Sequence, residues 1–143
     1  MILSGENVRI SGIIGNFADI SHLIMEKIEK TIPDWAFRMN CAVTVADADC
    51  NIIYMNERSR QTFAARGGAE LIGHNLMEYH NENSKAIIRR LLAEGGTNCY
   101  TIEKEGLHKM IFQTAWRDDS GRVAGLVEIS MVIPEEMPHY VRS

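Results

Sequence analysis

The residues with chemistry to offer in this sequence are five histidines, three cysteines and two pairs of aspartates. Asp47 and Asp49 flank one turn-like stretch, and Asp118 and Asp119 mark another. Paired carboxylates can exchange protons with a substrate or hold a divalent cation. Aspartate is also a preferred turn residue, because its side chain bonds the local backbone. No third ligand stands at a recognisable metal spacing, so turn chemistry is the expected role and no metal site is expected. Cys41, Cys50 and Cys99 are odd in number and widely spaced, without a C-x-x-C. That argues against a disulfide framework or a cysteine zinc site and points to a reducing, cytoplasmic compartment. Cys41 and Cys99 read as small core hydrophobes. Ser59, Ser84, Ser120 and Ser130 lie in no G-x-S-x-G elbow. With no catalytic constellation, a non-enzyme is expected. A small isomerase or dehydratase using Asp47 or His80 as base is the remote alternative. It would need a buried acid or imidazole with a shifted pKa in a cleft.

Composition sets the outer limits. The 143 residues suffice for one domain, and 45% hydrophobic with 24% charged residues is ordinary for a globular chain. Fifteen basic against nineteen acidic residues leave a net charge of −4, which disfavours sequence-independent nucleic-acid binding. No run approaches the ~18 apolar residues of a membrane span, and the N-terminus lacks the basic-then-apolar pattern of a secretory signal. Neither nucleic acid nor membrane is therefore an expected partner.

The elements that must position these groups follow from periodicity. Residues 17–32 read as a helix, with Phe17, Ile20, Ile24 and Ile28 at spacings of three and four, ended by Pro33. CAVTVAD and IIYM, over residues 41–55, read as a hairpin turning at residues 47–51. Asn56 is a good N-cap for the next helix, which stops at Gly67-Gly68. A short AELIG segment, a loop over 74–82 and a helix over 83–94 follow, the last carrying the pairs Ile87/Leu91 and Ile88/Leu92. Three strands close the chain, with turns at Glu105-Gly106 and Asp119-Ser120-Gly121 and a stop at Pro134. The order predicts an α+β fold with an antiparallel sheet.

This succession resembles a PAS domain over about residues 35–133. The resemblance rests on the hairpin AVTVADADCNIIYMN opening a helix, the step ELIGHNL, a helix ending in Gly-Gly, and the strand pair HKMIFQTAWRDDSGRVAGLVEIS. It implies a five-stranded antiparallel sheet with short helices on one face, and small ligands between sheet and helices where they are present. It also implies an N-terminal flanking helix in residues 1–34 that pairs with its twin in a homodimer. Residues 134–143 read as a tail. In the last strand Val123, Val127, Ile129 and Met131 share one parity, while Ala124, Leu126 and Val132 share the other, as suits a sheet covered on both faces.

The resemblance implies a sensor or signalling module that binds a small ligand, which shifts the packing of helices on sheet. Its output would pass through dimer contacts or a separate signalling protein. The expected ligand-binding residues are Phe63, Leu76, His80, Ile88, Leu91, Tyr100 and Trp116; the expected dimer residues are Phe17, Ile20, Ile24 and Ile28. The cofactor is unknown. Some relatives of this kind hold haem through a histidine near the helix before the third strand, where His80 lies, although a polar loop residue is the favoured reading of His80. A flavin adduct is not expected, because Leu76 stands where light-sensing relatives carry the reactive cysteine. The alternative is a ligand-free dimerisation module whose aromatic residues fill the interior.

Overall fold

The computed structural model describes residues 19, 20, 22–24, 26 and 32–143. The chain divides into two units, Met1–Pro33 and Asp34–Ser143. In the first, the described residues 19, 20, 22–24 and 26 are helical, within the span where the apolar stripe predicts a helix. Phe17, Ile28 and residues 1–16 lie outside the described residues.

The second unit opens with α1 (Asp34–Arg38), a one-turn helix that the sequence reading passed over. β1 (Ala42–Asp47) and β2 (Ile52–Met55) then form the expected hairpin. Its turn is made by Asp47, whose Oδ1 accepts from Asp49 N at 3.0 Å and Asn51 N at 2.9 Å. Cys50 takes a positive φ of 68° there, and its side chain is buried in the core.

Asn56 ties hairpin to helix. Its Oδ1 accepts from Ser59 N and from Val43 N, both at 2.9 Å, and its Nδ2 donates to Cys41 O at 2.8 Å. The side chain thus caps α2 (Glu57–Thr62) and satisfies two backbone groups at the start of β1. Three 3-10 turns follow at Ala64–Arg66, Gly68–Leu71 and Leu76–Tyr79. The expected helix over 57–67 therefore breaks at Phe63, and the stretch expected as loop holds an ordered turn. α3 (Glu82–Glu94) starts at Asn81, whose side chain accepts from Ser84 N, and ends at Gly95.

β3 (Thr97–Lys104), β4 (Leu107–Arg117) and β5 (Val123–Val132) complete one antiparallel sheet of order β2-β1-β5-β4-β3. The last strand sits at the centre, between β1 and β4. Strand alternation assigns the faces. Ala46, Ile52, Met55 and Leu126 meet Ile88 and Leu91 of α3 and Leu71 and Leu76 of the turns, forming the core between sheet and helices. The opposite parity, with Val43, Val45, Phe112, Val127, Ile129 and Met131, makes the outer face. Residues 134–143 carry no regular structure.

Candidate functional site

The inner face of the sheet and the turns between α2 and α3 enclose a cavity of about 100 Å³. The hairpin supplies Thr44, Ile52 and Met55; the connecting segment supplies Phe63, Arg66, Leu71, Leu76, Tyr79 and His80; β5 supplies Glu128. Backbone pairing fixes the connecting segment against the hairpin. Ile52 N donates to His74 O, Gly73 N to Ile52 O and Leu76 N to Cys50 O. Asn75 adds three bonds from its own side chain, donating through Nδ2 to Asp49 O and Asn51 Oδ1 and accepting through Oδ1 from Met77 N. These bonds turn Leu76 into the core and set His80 four residues beyond it.

Most of the lining is apolar, and one of its polar members, Glu128, ends a hydrogen-bonded row on the sheet. Asn98 Nδ2 donates to Gln113 Oε1 at 2.9 Å, and Gln113 Nε2 donates to Glu128 Oε2 at 2.8 Å. This row crosses β3, β4 and β5 on the inner face and ends at the cavity wall. Gln113 is only 3% exposed, so each bond offsets the desolvation of a buried amide. The His80 ring bonds Leu76 O through Nδ1 at 2.8 Å, and its Nε2 stands 4.0 Å from Glu128 Oε2. Thr44 Oγ1 is already paired with Ser59 Oγ at 2.7 Å. Burial, and then the negative charge of Glu128, push the Tyr100 phenol above its usual pKa.

Of the residues expected to bind a ligand, Phe63, Leu76 and His80 line the cavity. Ile88 and Leu91 do not; they are buried behind it in the core, where α3 packs on the sheet. Tyr100 lies on the inner face of β3, outside the lining, and is 43% exposed because β3 is an edge strand. Trp116 faces the other way. Its indole crosses over Gly125 on the outer face, and Nε1 donates to Ala46 O at 3.0 Å. Its aromatic ring and polar tip suit a pocket wall, but its strand parity, shared with Gly125, puts it on the outer face.

Glu128 is one of several lining residues absent from the expected set. Its signal was present: an acid in the middle of an apolar strand, sharing the parity of Leu126. Thr44, Ile52 and Met55 were recoverable from hairpin parity too. Arg66 and Leu71 were not, because they depend on 3-10 turns with no sequence periodicity.

A haem does not fit this site. Both His80 nitrogens are turned toward protein groups, and the macrocycle is far larger than the cavity. Among the described residues, no group of three or more His, Cys, Asp or Glu side chains is arranged to hold a metal ion. The acidic pairs serve turns: Asp118 Oδ1 accepts from Ser120 N and Arg122 N, and the bond from the Ser120 hydroxyl leads the causes that lower its pKa.

A five-stranded antiparallel sheet in this order, with short helices on one face and a cavity beneath them, defines a PAS architecture. The PAS fold family matches residues 37–136, and the chain belongs to it. No curated protein is similar enough to match. Among solved structures, the Aer2 receptor from Vibrio cholerae, a dual PAS-haem oxygen sensor, is similar at 22% identity and a TM-score of 0.51 over 66% of this chain and 95% of that one. The PAS domain of the histidine kinase ThkA is similar at 16% identity and a TM-score of 0.54, over 65% and 99%. VqmA bound to DPO is similar at 13% identity and a TM-score of 0.56, over 76% of this chain and 57% of that chain. These likenesses concern the fold. Homologues of this family serve as sensor and signalling modules. No helix among the described residues is long and apolar enough to cross a membrane.

Proposed function

We propose that this chain is a non-enzymatic, cytoplasmic sensor module that holds a small ligand between sheet and helices and relays its presence through dimer or partner contacts. The carrying observation is that the cavity wall includes Glu128 of β5, the central strand. A ligand preferring one packing of the turns against Glu128 shifts the population of that packing. Val127 and Ile129, its neighbours in β5, face the opposite side, so the same strand carries the change outward. The occupant is small, since cavities for drug-sized ligands measure about 300–1,000 Å³. VqmA, whose bound form is among the similar folds, offers a parallel for a small ligand on this scaffold.

Native mass spectrometry of the purified protein tests the reading. A non-covalent adduct lost in Leu76→Phe, which fills the cavity, supports it. A bare mass, with no movement of the amide spectrum on titration with a small-fragment library, would overturn it. That result would favour the second reading, a ligand-free interaction module, for which the small cavity is the specific observation. Ile20, Leu23 and Ile24 are exposed apolar side chains on helical residues, as a dimer contact through residues 17–32 requires. Ile24→Glu with Ile28→Glu is expected to give monomers in sedimentation; a surviving dimer would place the contact elsewhere.

A further inference from the structure

The chemistry of the cavity narrows what it can hold, and this step rests on the reading of it as a ligand site. Glu128 uses Oε2 to accept from Gln113, and among the described residues no donor is bonded to Oε1. Its side chain is 16% exposed, within a mostly apolar lining. A carboxylate in such a place gains more from a donor than one in water does, because the local dielectric is low.

His80 sharpens the requirement. Leu76 O can only accept, so the ring nitrogen bonded to it, Nδ1, carries the proton. In the neutral imidazole Nε2 is then a lone pair, and it faces Glu128 Oε2 across 4.0 Å. With both groups acceptors, neither can bond the other. They leave room for one group with several hydrogens to bond both. Asn98 and Gln113 each spend an amide hydrogen on the row that ends at Glu128, and neither lines the cavity. The opposing charge in the lining, Arg66, belongs to an exposed residue on a 3-10 turn, where water screens it.

We infer that the cavity selects a small organic amine, bound as its ammonium between Glu128 and His80 with its carbon skeleton against Phe63 and Leu76. An ammonium supplies three donors and a positive charge, and neither an alcohol nor a carboxylate of the same skeleton supplies both. The volume limits the skeleton to a few carbons. At about 100 Å³ the cavity is well below the sites of drug-sized ligands.

Three probes of one shape make the test: isobutylammonium, isobutanol and isobutyrate, each titrated into the whole chain at pH 7 and followed by the amide NMR spectrum. The expected order is ammonium tightest, alcohol weaker and carboxylate weakest, with shifts clustered at residues 76–80 and 128. Glu128→Gln keeps an acceptor for Gln113 and removes the charge. It is expected to weaken the ammonium at least tenfold and leave the alcohol within twofold. Circular dichroism of this variant checks that it folds, and His80→Gln gives a second reading of the same wall. A preference for isobutyrate, or ammonium binding indifferent to Glu128→Gln, would overturn the inference while leaving a ligand cavity in place. Failure of all three probes to bind would count against both the inference and the ligand site itself.

Discussion

The two faces of the sheet are built on opposite terms. The inner face lies under the protein's own helices and nevertheless holds Thr44, Asn98, Gln113 and Glu128 in a bonded array. The outer face is apolar along its central strands, with Val43, Val45, Phe112, Val127, Ile129 and Met131 half-buried, and turns polar toward β3 at Thr97, Thr101 and Thr114. Packing alone would favour apolar residues on both, since a buried polar group costs free energy unless it is bonded. The inner row meets that cost bond by bond and leaves one carboxylate oxygen open at the cavity. Polarity on the covered face is thus where specificity resides, and the outer face contributes shape and apolar area.

The largest expected effects test whether the outer face is as tightly specified as the inner one. A Cβ on Gly125 would lie 1.9 Å from Ala46 O and 2.5 Å from Trp116 Nε1. The obstructing groups are a strand backbone and an indole bonded to it, so neither can step aside cheaply. Gly125→Ala is expected to cost about 3 kcal/mol, the upper end of ordinary overpacking. On the inner face Leu126 is 1% exposed, and Leu126→Ala removes core volume for a similar cost of about 2–5 kcal/mol. Both should lower the thermal midpoint by roughly 10 °C. A tolerated Gly125→Ala in urea or thermal unfolding would mean that the Trp116 bridge is dispensable.

That asymmetry explains what the sequence could reveal. The fold was legible because its signals are local: the Asp47 turn, the Asn56 and Asn81 caps, and strands of clear alternation. The site was legible only in part. Leu76, His80 and Phe63 follow from where the connecting segment must lie, whereas choosing Trp116 and Tyr100 by type ignored which face and which edge they occupy. Glu128 becomes meaningful only once β5 is known to be central and Gln113 to be its neighbour in β4. That pairing joins residues fifteen apart across a turn. Arg66 and Leu71 enter through 3-10 turns, whose course depends on packing rather than periodicity.

Intermediate effects probe the bonded array against the single bridge. Gln113→Leu is close in volume but removes the donor to Glu128 and the acceptor for Asn98. It is expected to destabilise by about 2 kcal/mol, because two polar partners lose a bond, one of them charged. Glu128→Gln made in the same background should recover part of that loss, since no charge is then left unbonded. A double-mutant cycle with no coupling would show that the row is a set of independent contacts. Trp116→Phe keeps an aromatic ring but loses the bond to Ala46 O and part of the indole's packing, for about 1–2 kcal/mol.

The smallest effect on stability is also the most direct comparison of exposure. Cys99 pairs with Phe112 on the outer face, at the edge strand, and is exposed. Cys50 sits at the hairpin turn with its side chain in the inner core, and burial followed by the charges of Asp47 and Asp49 pushes its thiol above its ordinary pKa, against a smaller pull from Arg89. Burial also raises Cys41. Only the thiolate reacts, so a raised pKa and a closed approach act in the same direction. Iodoacetamide at pH 8 is expected to label Cys99 at least about tenfold faster than Cys41 or Cys50, as resolved by peptide mass spectrometry. The sign extends to stability. The preference for the neutral thiols is fully present below their ordinary pKa and is lost as pH rises through the raised values. Labelling of Cys50 should therefore accelerate as the pH rises and the fold loosens. Equal rates for Cys50 and Cys99 in the folded protein at pH 8 would mean that the hairpin turn opens readily, and that the inner face is less closed than its hydrogen bonds require.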